Sequence, residues 1–288
     1  MNKMNDNTLQ IIEENMSQLS KGQRAIARYI LENYDKAAFM TASKLGEIVE
    51  ISESTVVRFA AQIGYDGYPD MQRALQKMIR NRLTSVQRIQ VSNSRIEKGN
   101  IVESVLGSDM EKIRLTLEEM DMEVFDASVK TIVEANKIYL IGNRSTGGVI
   151  SFLNFYLNLL FDNVILVHGN EDPFGKLFRL TPEDVVVGIS FPRYSHVTVQ
   201  AMEYAKDRGA TTIAITDCEM SPLAAISSYT LMARSEMVSF VDSLVAPLSL
   251  VNALIVAISR ETKKDLSETF EKLEGLWEAY HVFEKTKE

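Results

Sequence analysis

At 288 residues the chain exceeds the usual size of one compact domain, so two domains of unequal size are expected. Its 45% hydrophobic and 24% charged residues exclude wholesale disorder, and a single cysteine, Cys218, excludes an intramolecular disulfide. The net charge of −8 is unevenly spread: residues 1–90 hold 12 Lys and Arg against 10 Asp and Glu, the remainder 19 against 29, which leaves the first part open to a polyanion.

The opening MNKMNDNTLQ lacks the apolar core of a secretory signal, and no apolar run approaches the roughly 20 residues that span a bilayer. The chain is expected to be cytoplasmic, with no membrane partner. His168, His196 and His281 are scattered, so no metal is expected, and no cofactor.

Ile11, Ile12, Met16 and Leu19 recur at helical spacing, and Ser20 caps a second segment whose inward face is Ile26, Tyr29, Ile30 and Tyr34. Thr41 caps a short helix carrying Leu45, Ile48 and Val49. After a break at Glu50 and Ile51, Ser52 caps another through Val56, Val57, Phe59 and Ile63. Short helix, tight turn and second capped helix form a helix-turn-helix, whose second helix enters the major groove.

The groups that would reach DNA are Ser52, Glu53, Ser54, Thr55 and Arg58, with Lys44 on the preceding helix as a backbone contact. The alternative is a well-capped helix of an all-helical domain with Arg58 in a structural ion pair. Glu50 stands where glycine or asparagine most easily takes a left-handed conformation. A fifth helix near Pro69 presents Met71, Leu75, Met78 and Ile79 on one side.

Residues 81–100 are polar and read as a linker or exposed helix extension. The basic run Arg73, Lys77, Arg80, Arg82, Arg88, Arg95 and Lys98 faces either phosphates or solvent. The domains are therefore drawn as 1–80, a linker 81–100, and 101–288. Two amphipathic stretches, 101–120 and 122–135, follow with spacing suited to packing on a sheet.

Five branched runs then read as strands: KIYLIGN, NVILVH, DVVVGIS, TTIAITD and YTLMAR. Helical patterns at 147–161, 173–180 and 195–208, and a shorter link at 222–227, alternate with them, which predicts a doubly wound parallel sheet. Ligands on such sheets gather beyond the carboxyl ends of the strands. Two loops there are rich in hydroxyls. The first offers Gly142, Arg144, Ser145 and Thr146, and the second Ser190, Arg193, Ser195 and Thr198, together suited to a phosphate and a polyol. The alternative is ordinary Ser and Thr capping. Final helices are expected over 244–259 and 265–283, packing on the sheet or on a second subunit.

At these residues the chain resembles the RpiR/MurR family of bacterial regulators, which join a helix-turn-helix head to a sugar isomerase (SIS) domain. The resemblance rests on ISESTVVRFAAQIGYDGYPDM, IYLIGNRSTGG and ISFPRYSHVTVQAMEYAKDRGATTIAITD, and covers nearly the whole chain. It implies an all-helical helix-turn-helix head, a doubly wound parallel-sheet SIS domain, operator DNA as partner, a phosphorylated sugar as effector, and a homodimer or homotetramer. Ser145 matches the serine of the family's first phosphosugar loop, while Ser190, Ser195 and Thr198 match hydroxyl positions of the second. Arg144 stands where a second glycine is commoner, and Phe191, Pro192 and Arg193 replace a small hydroxyl-rich run. A phosphosugar isomerase is the rival reading. Its general base would be His196, or else Glu219 or Glu236. Cys218, just after Asp217, reads as a small residue beyond a strand or a reactive thiol.

Overall fold

Capping and helical periodicity set the first elements of the computed structural model, which describes residues 8–79, 84–93, 100–167, 172–237, 241–262 and 267–284. Of the sequence features above, Arg80, Arg82, Arg95, Lys98 and His168 lie outside the described residues. The chain divides into two compact units, one of residues 1–111, 192–194 and 236–243, the other of 112–191, 195–235 and 244–288.

The smaller unit begins with α1 (Thr8–Asn15), α2 (Lys21–Glu32), α3 (Tyr34–Ala37), α4 (Ala42–Ile48), α5 (Glu53–Gln62) and α6 (Tyr68–Ile79). Ser20 opens α2 with a reciprocal box: its Oγ accepts the Gln23 N–H at 3.4 Å and Gln23 Oε1 accepts the Ser20 N–H at 3.0 Å. Ile12, Ile26, Ile30, Leu45, Val56, Phe59, Met71 and Leu75 close a shared core. Each fully buried side chain of this size contributes roughly 1.5–3 kcal/mol. The link between α3 and α4 is held from α6, because Tyr68 Oη and Gln72 Nε2 both donate to Met40 O (2.7 and 2.6 Å) and Gln76 Nε2 donates to Ala38 O (2.7 Å).

The stretch read as a linker contains α7 (Ser85–Asn93), started by a second box between Thr84 and Gln87. Gln87 also donates to Asp35 Oδ2 at 3.0 Å. Arg88, expected to face phosphates or solvent, is only 1% exposed and donates to Asp242 Oδ1 at 2.7 Å. Burial strips the guanidinium of water, so it requires that carboxylate, contributed from residues 236–243 of the same unit.

Helix α8 (Ile101–Glu118), whose residues 101–111 fall in the first range and 112–118 in the second, corrects a second expectation. Its inward residues are the polar Asp109, Lys112 and Thr116, whereas Val102, Leu106, Met110 and Leu117 form an exposed stripe, Leu117 at 74%. The polar side is used: Ser243 Oγ donates to Asp109 Oδ1 at 2.6 Å, and the Arg234 N–H to Thr116 Oγ1 at 2.9 Å. Leu117, Ile113 and Met120 continue into an apolar groove with Met122, Phe125, Leu250 and Val256.

In the larger unit follow α9 (Met122–Glu134), β1 (Ile138–Gly142), α10 (Thr146–Leu160), β2 (Val164–Val167), α11 (Pro173–Leu177), β3 (Val185–Ile189), α12 (His196–Asp207), β4 (Thr211–Thr216) and β5 (Tyr229–Met232). All five predicted strands are present and all pair in parallel, in the order β2-β1-β3-β4-β5. Helices cover both faces. On one side α9, α10 and α13 (Val245–Glu261) bury Val129, Ile132, Leu153, Leu157, Val251 and Leu254; on the other α12 buries Ala201, Met202 and Ala205. The last helix, α14 (Ser267–Ala279), buries no residue fully; Phe270 packs on the larger core and Trp277 meets Phe283 edge to face at 5.4 Å. Among the described residues no helix is long and apolar enough to cross a membrane.

Two consequences can be measured. A Cβ on Gly46 would lie 2.5 Å from Ile51 O, inside van der Waals contact with backbone. Gly46→Ala should therefore lower the head's stability by about 1–3 kcal/mol in urea unfolding, and an unchanged midpoint would refute the clash. Burial pushes the Tyr68 hydroxyl up to about 12 from 10.0, so the fold favours the neutral phenol. Its contribution is complete below pH 10.0 and drains away as pH rises toward about 12. Tyr68→Phe should flatten that part of the stability–pH curve.

Candidate functional site

The turn between α4 and α5 is closed by the Ile51 N–H on Gly46 O at 2.8 Å, with Glu50 in the left-handed region at φ 55°. A residue with a Cβ there costs about 1 kcal/mol relative to glycine. Thr41 caps α4 by accepting the Lys44 N–H at 3.1 Å. The Lys44 ammonium rests on Glu47 Oε2 at 2.8 Å, an exposed pair worth under about 1 kcal/mol and easily exchanged.

Ser52 occupies the cap position of α5, but its side chain does not cap the backbone. Its Oγ instead joins Ser54 Oγ (3.1 Å) and Thr55 Oγ1 (2.9 Å), and Arg58 folds onto the same group through Ser54 O and Thr55 Oγ1, both at 3.3 Å. Ser52, Ser54, Thr55 and Arg58 are thus brought together on an exposed surface. Glu53, in the first turn, stabilises the helix dipole and repels phosphate, so it sits apart in character.

Val57, read from the sequence as core, is 41% exposed. Helical phase places it with Ser54, Arg58 and Ala61, since Val56, Phe59, Ala60 and Ile63 already complete the inward stripe. That phase was the signal available. A cavity beside Thr55 and Arg58 is also lined by Ser20, Gln23 and Gln62, which local spacing could not connect to α5.

The second region lies where the sheet reverses its winding. From β1 the chain turns one way to β2 and then adds β3 on β1's other side, so the crevice between the carboxyl ends of β1 and β3 is the switch point. Register puts Gly142 opposite Ile189, so the two hydroxyl-rich loops leave the sheet side by side.

Gly142 leaves little room for a side chain: a Cβ would stand 3.1 Å from both Ile150 Cβ and Thr146 O, which would have to give way by a few tenths of an ångström. Thr146, expected to meet a ligand, is buried and committed to the fold. Its Oγ1 accepts the Asn143 N–H at 3.1 Å and lies 2.9 Å from Asn143 O and 3.0 Å from Ile189 O, sharing its one proton between them. Thr198 is likewise buried and accepts from Asn143 Nδ2 at 2.8 Å. Both threonines therefore lock the loops together, through an Asn143 that sequence inspection did not single out.

Three serines adjoin this lock, Ser190 buried, Ser195 half-buried and Ser145 exposed. Ser190 Oγ accepts the Ser195 N–H at 3.0 Å, and Ser195 Oγ caps α12 through the Thr198 N–H at 3.3 Å. Ser145 is exposed at the cap of α10, and no hydrogen bond holds its hydroxyl among the described residues. Arg144 and Arg193 are exposed and left-handed, at φ 58° and 65°. The Arg193 guanidinium reaches Ser85 Oγ at 3.2 Å, within the smaller unit.

The bases considered for catalysis lie on separate segments of the chain. His196 is exposed at the first residue of α12, Glu219 is exposed, and Glu236 belongs to the smaller unit. Cys218 is half-buried after β4. Among the described residues no cluster of His, Cys, Asp and Glu could hold a metal.

Comparison with known proteins follows the same division. Residues 6–82 match the helix-turn-helix domain of the rpiR family, and residues 131–257 match the SIS domain. An uncharacterized HTH-type transcriptional regulator of Caldanaerobacter subterraneus is 24% identical over 266 residues, 90% of this chain and 92% of its own. The HTH-type transcriptional regulator HexR of Escherichia coli is 26% identical over 225 residues, 76% of this chain and 74% of its own. The sugar isomerase domain of an RpiR transcription factor from Sphaerobacter thermophilus superposes with TM-score 0.58 at 27% identity, covering 61% of this chain and 98% of that one. The Vibrio vulnificus NanR protein, complexed with ManNAc-6P, shares the fold over 97% of this chain and 100% of its own (TM-score 0.60, 23% identity). With an rpiR-type helix-turn-helix domain at residues 6–82 followed in sequence by an SIS domain at 131–257, the chain belongs to the RpiR family of transcriptional regulators.

Proposed function

We propose that the chain regulates genes of carbohydrate metabolism by binding operator DNA with an affinity set by a phosphorylated sugar. The observation that carries this reading is the crevice at the β1–β3 switch point. There an unengaged Ser145 hydroxyl stands at the start of α10, beside the loop of Ser190 and Ser195. Backbone donors at a helix start favour an anion, and the serines add hydroxyls for its oxygens. The NanR complex with ManNAc-6P supports a phosphosugar as the ligand class.

In this reading residues 1–80 bind DNA, 101–288 sense the effector, and 81–100 link them. Gly142 shapes the first loop, Thr146 and Thr198 hold the site from beneath, and Ser145, Ser190 and Ser195 with Arg144 and Arg193 meet the ligand. Ser52, Ser54, Thr55 and Arg58 meet DNA, Lys44 reaches its backbone, and Glu53 discriminates against misplaced phosphates. The protein works as a cytoplasmic homodimer or homotetramer. It senses rather than converts the sugar: an isomerase needs a base held within reach of the reacting carbon, and His196 and Glu219 are both exposed to solvent.

Two measurements test this. With ManNAc-6P as first probe and ManNAc as control, a ligand at a hundred times its Kd stabilises the native state by about 2.7 kcal/mol, a clear rise in Tm. Ser145→Ala should weaken that binding about tenfold, one lost hydrogen bond of about 1–1.5 kcal/mol. If no sugar phosphate in a wider panel raises Tm, the sensor reading fails. On a duplex selected from a random library, Arg58→Ala should cost about 1–3 kcal/mol of binding at unchanged Tm. Undiminished binding would remove α5 from the interface.

A further inference from the structure

Within the larger unit, the end of α8 (residues 112–118), the start of α9 and one side of α13 enclose an apolar groove of about 730 Å³. Ile113, Leu117, Met122 and Val256 stand exposed along it, Met122 at 57% and Val256 at 58%. Four small residues, Ala246, Ser249, Ala253 and Ala257, line its α13 wall, and their spacing of three and four puts them on one side of that helix. Neither the phosphosugar crevice nor the DNA-reading pair uses any of these residues. An apolar patch that spans three elements and is rimmed by polar groups marks a protein contact.

Shape, charge and size agree on what covers it. When a face meets its own copy, each projection needs a recess and each charge an opposite charge on that same face. Both conditions hold here. Leu117 and Met122 project beside an α13 wall kept low by Ala253 and Ala257. Arg260 lines the groove, while the exposed carboxylates of Asp121 and Glu123 flank Met122; among the described residues none of the three forms an ion pair. Fourteen residues line the groove, and with Asp121 and Glu123 at its rim the face approaches the roughly 20–30 residues that each partner gives to a standard interface.

We propose that a second copy of this chain covers the groove about a two-fold axis, Leu117 of each copy seated against the small residues of α13 in the other, and Arg260 facing the partner's Asp121 and Glu123. This face deepens the homo-oligomer reading above and rests on it. Leu117 and Val256 form its centre, where burial of apolar surface drives association, and the charges at the rim fix the orientation of the two copies.

Analytical ultracentrifugation of the full chain across the micromolar range tests the face. The wild type should sediment as a dimer or tetramer. Leu117→Glu and Val256→Glu each place a carboxylate where a single copy leaves the side chain in water and the pair buries it. Each should keep the far-ultraviolet circular dichroism of the wild type, weaken association about a hundredfold and halve the sedimenting mass. Phe155→Glu, at an equally exposed position of α10 outside the groove, should leave the assembly intact. Assembly of folded Leu117→Glu and Val256→Glu as tight as that of the wild type overturns the face and leaves the homo-oligomer standing. So does an assembly broken by Phe155→Glu alone. A wild type that sediments as a monomer removes the homo-oligomer, and the face with it.

Discussion

The pairing of β1 with β3 is the constraint from which the sensor region follows. Because the chain turns outward to β2 before returning to lay β3 on the far side of β1, the helices after β1 and β3 go to opposite faces of the sheet and leave a crevice between their starts. One buried hydroxyl then fixes the distance across it. Thr146 Oγ1 bridges Asn143 O and Ile189 O, and Asn143 Nδ2 reaches on to Thr198. Thr146, Asn143 and Thr198 are thus spent on holding together the two loops that carry Ser145, Ser190 and Ser195.

Strong periodicity made much of this legible from sequence. Branched runs of four to six residues separated by helical spacing leave little choice but a parallel sheet, and all five strands stand where their residues put them. Glu50 was legible for a steric reason: the chain must reverse in a space too short for anything but a left-handed residue, and φ is 55° there. The positions of Ser145 and Ser190 followed from the strand-to-helix rule alone.

What sequence could not show was how each polar group is spent. Thr146 and Ser145 are neighbours of similar chemistry, yet one faces a carbonyl of the next strand and the other faces outward, a difference set by the helix phase at its first turn. Arg88 looked like any base in a basic run, because its partner Asp242 is distant in sequence. Helix α8 misled for a related reason. Amphipathicity tells which face is apolar, not which is covered, and here Asp109 and Thr116 find hydrogen bonds inward while the apolar stripe faces out.

The single tryptophan of the chain, Trp277, lies on α14, a helix with no fully buried residue. Tryptophan fluorescence will therefore follow the carboxyl-terminal helix and its edge contact with Phe283. The single thiol is better placed. Cys218, half-buried just past the carboxyl end of β4, offers one reporter position on the edge of the sheet where the loops gather, with no competing cysteine to remove.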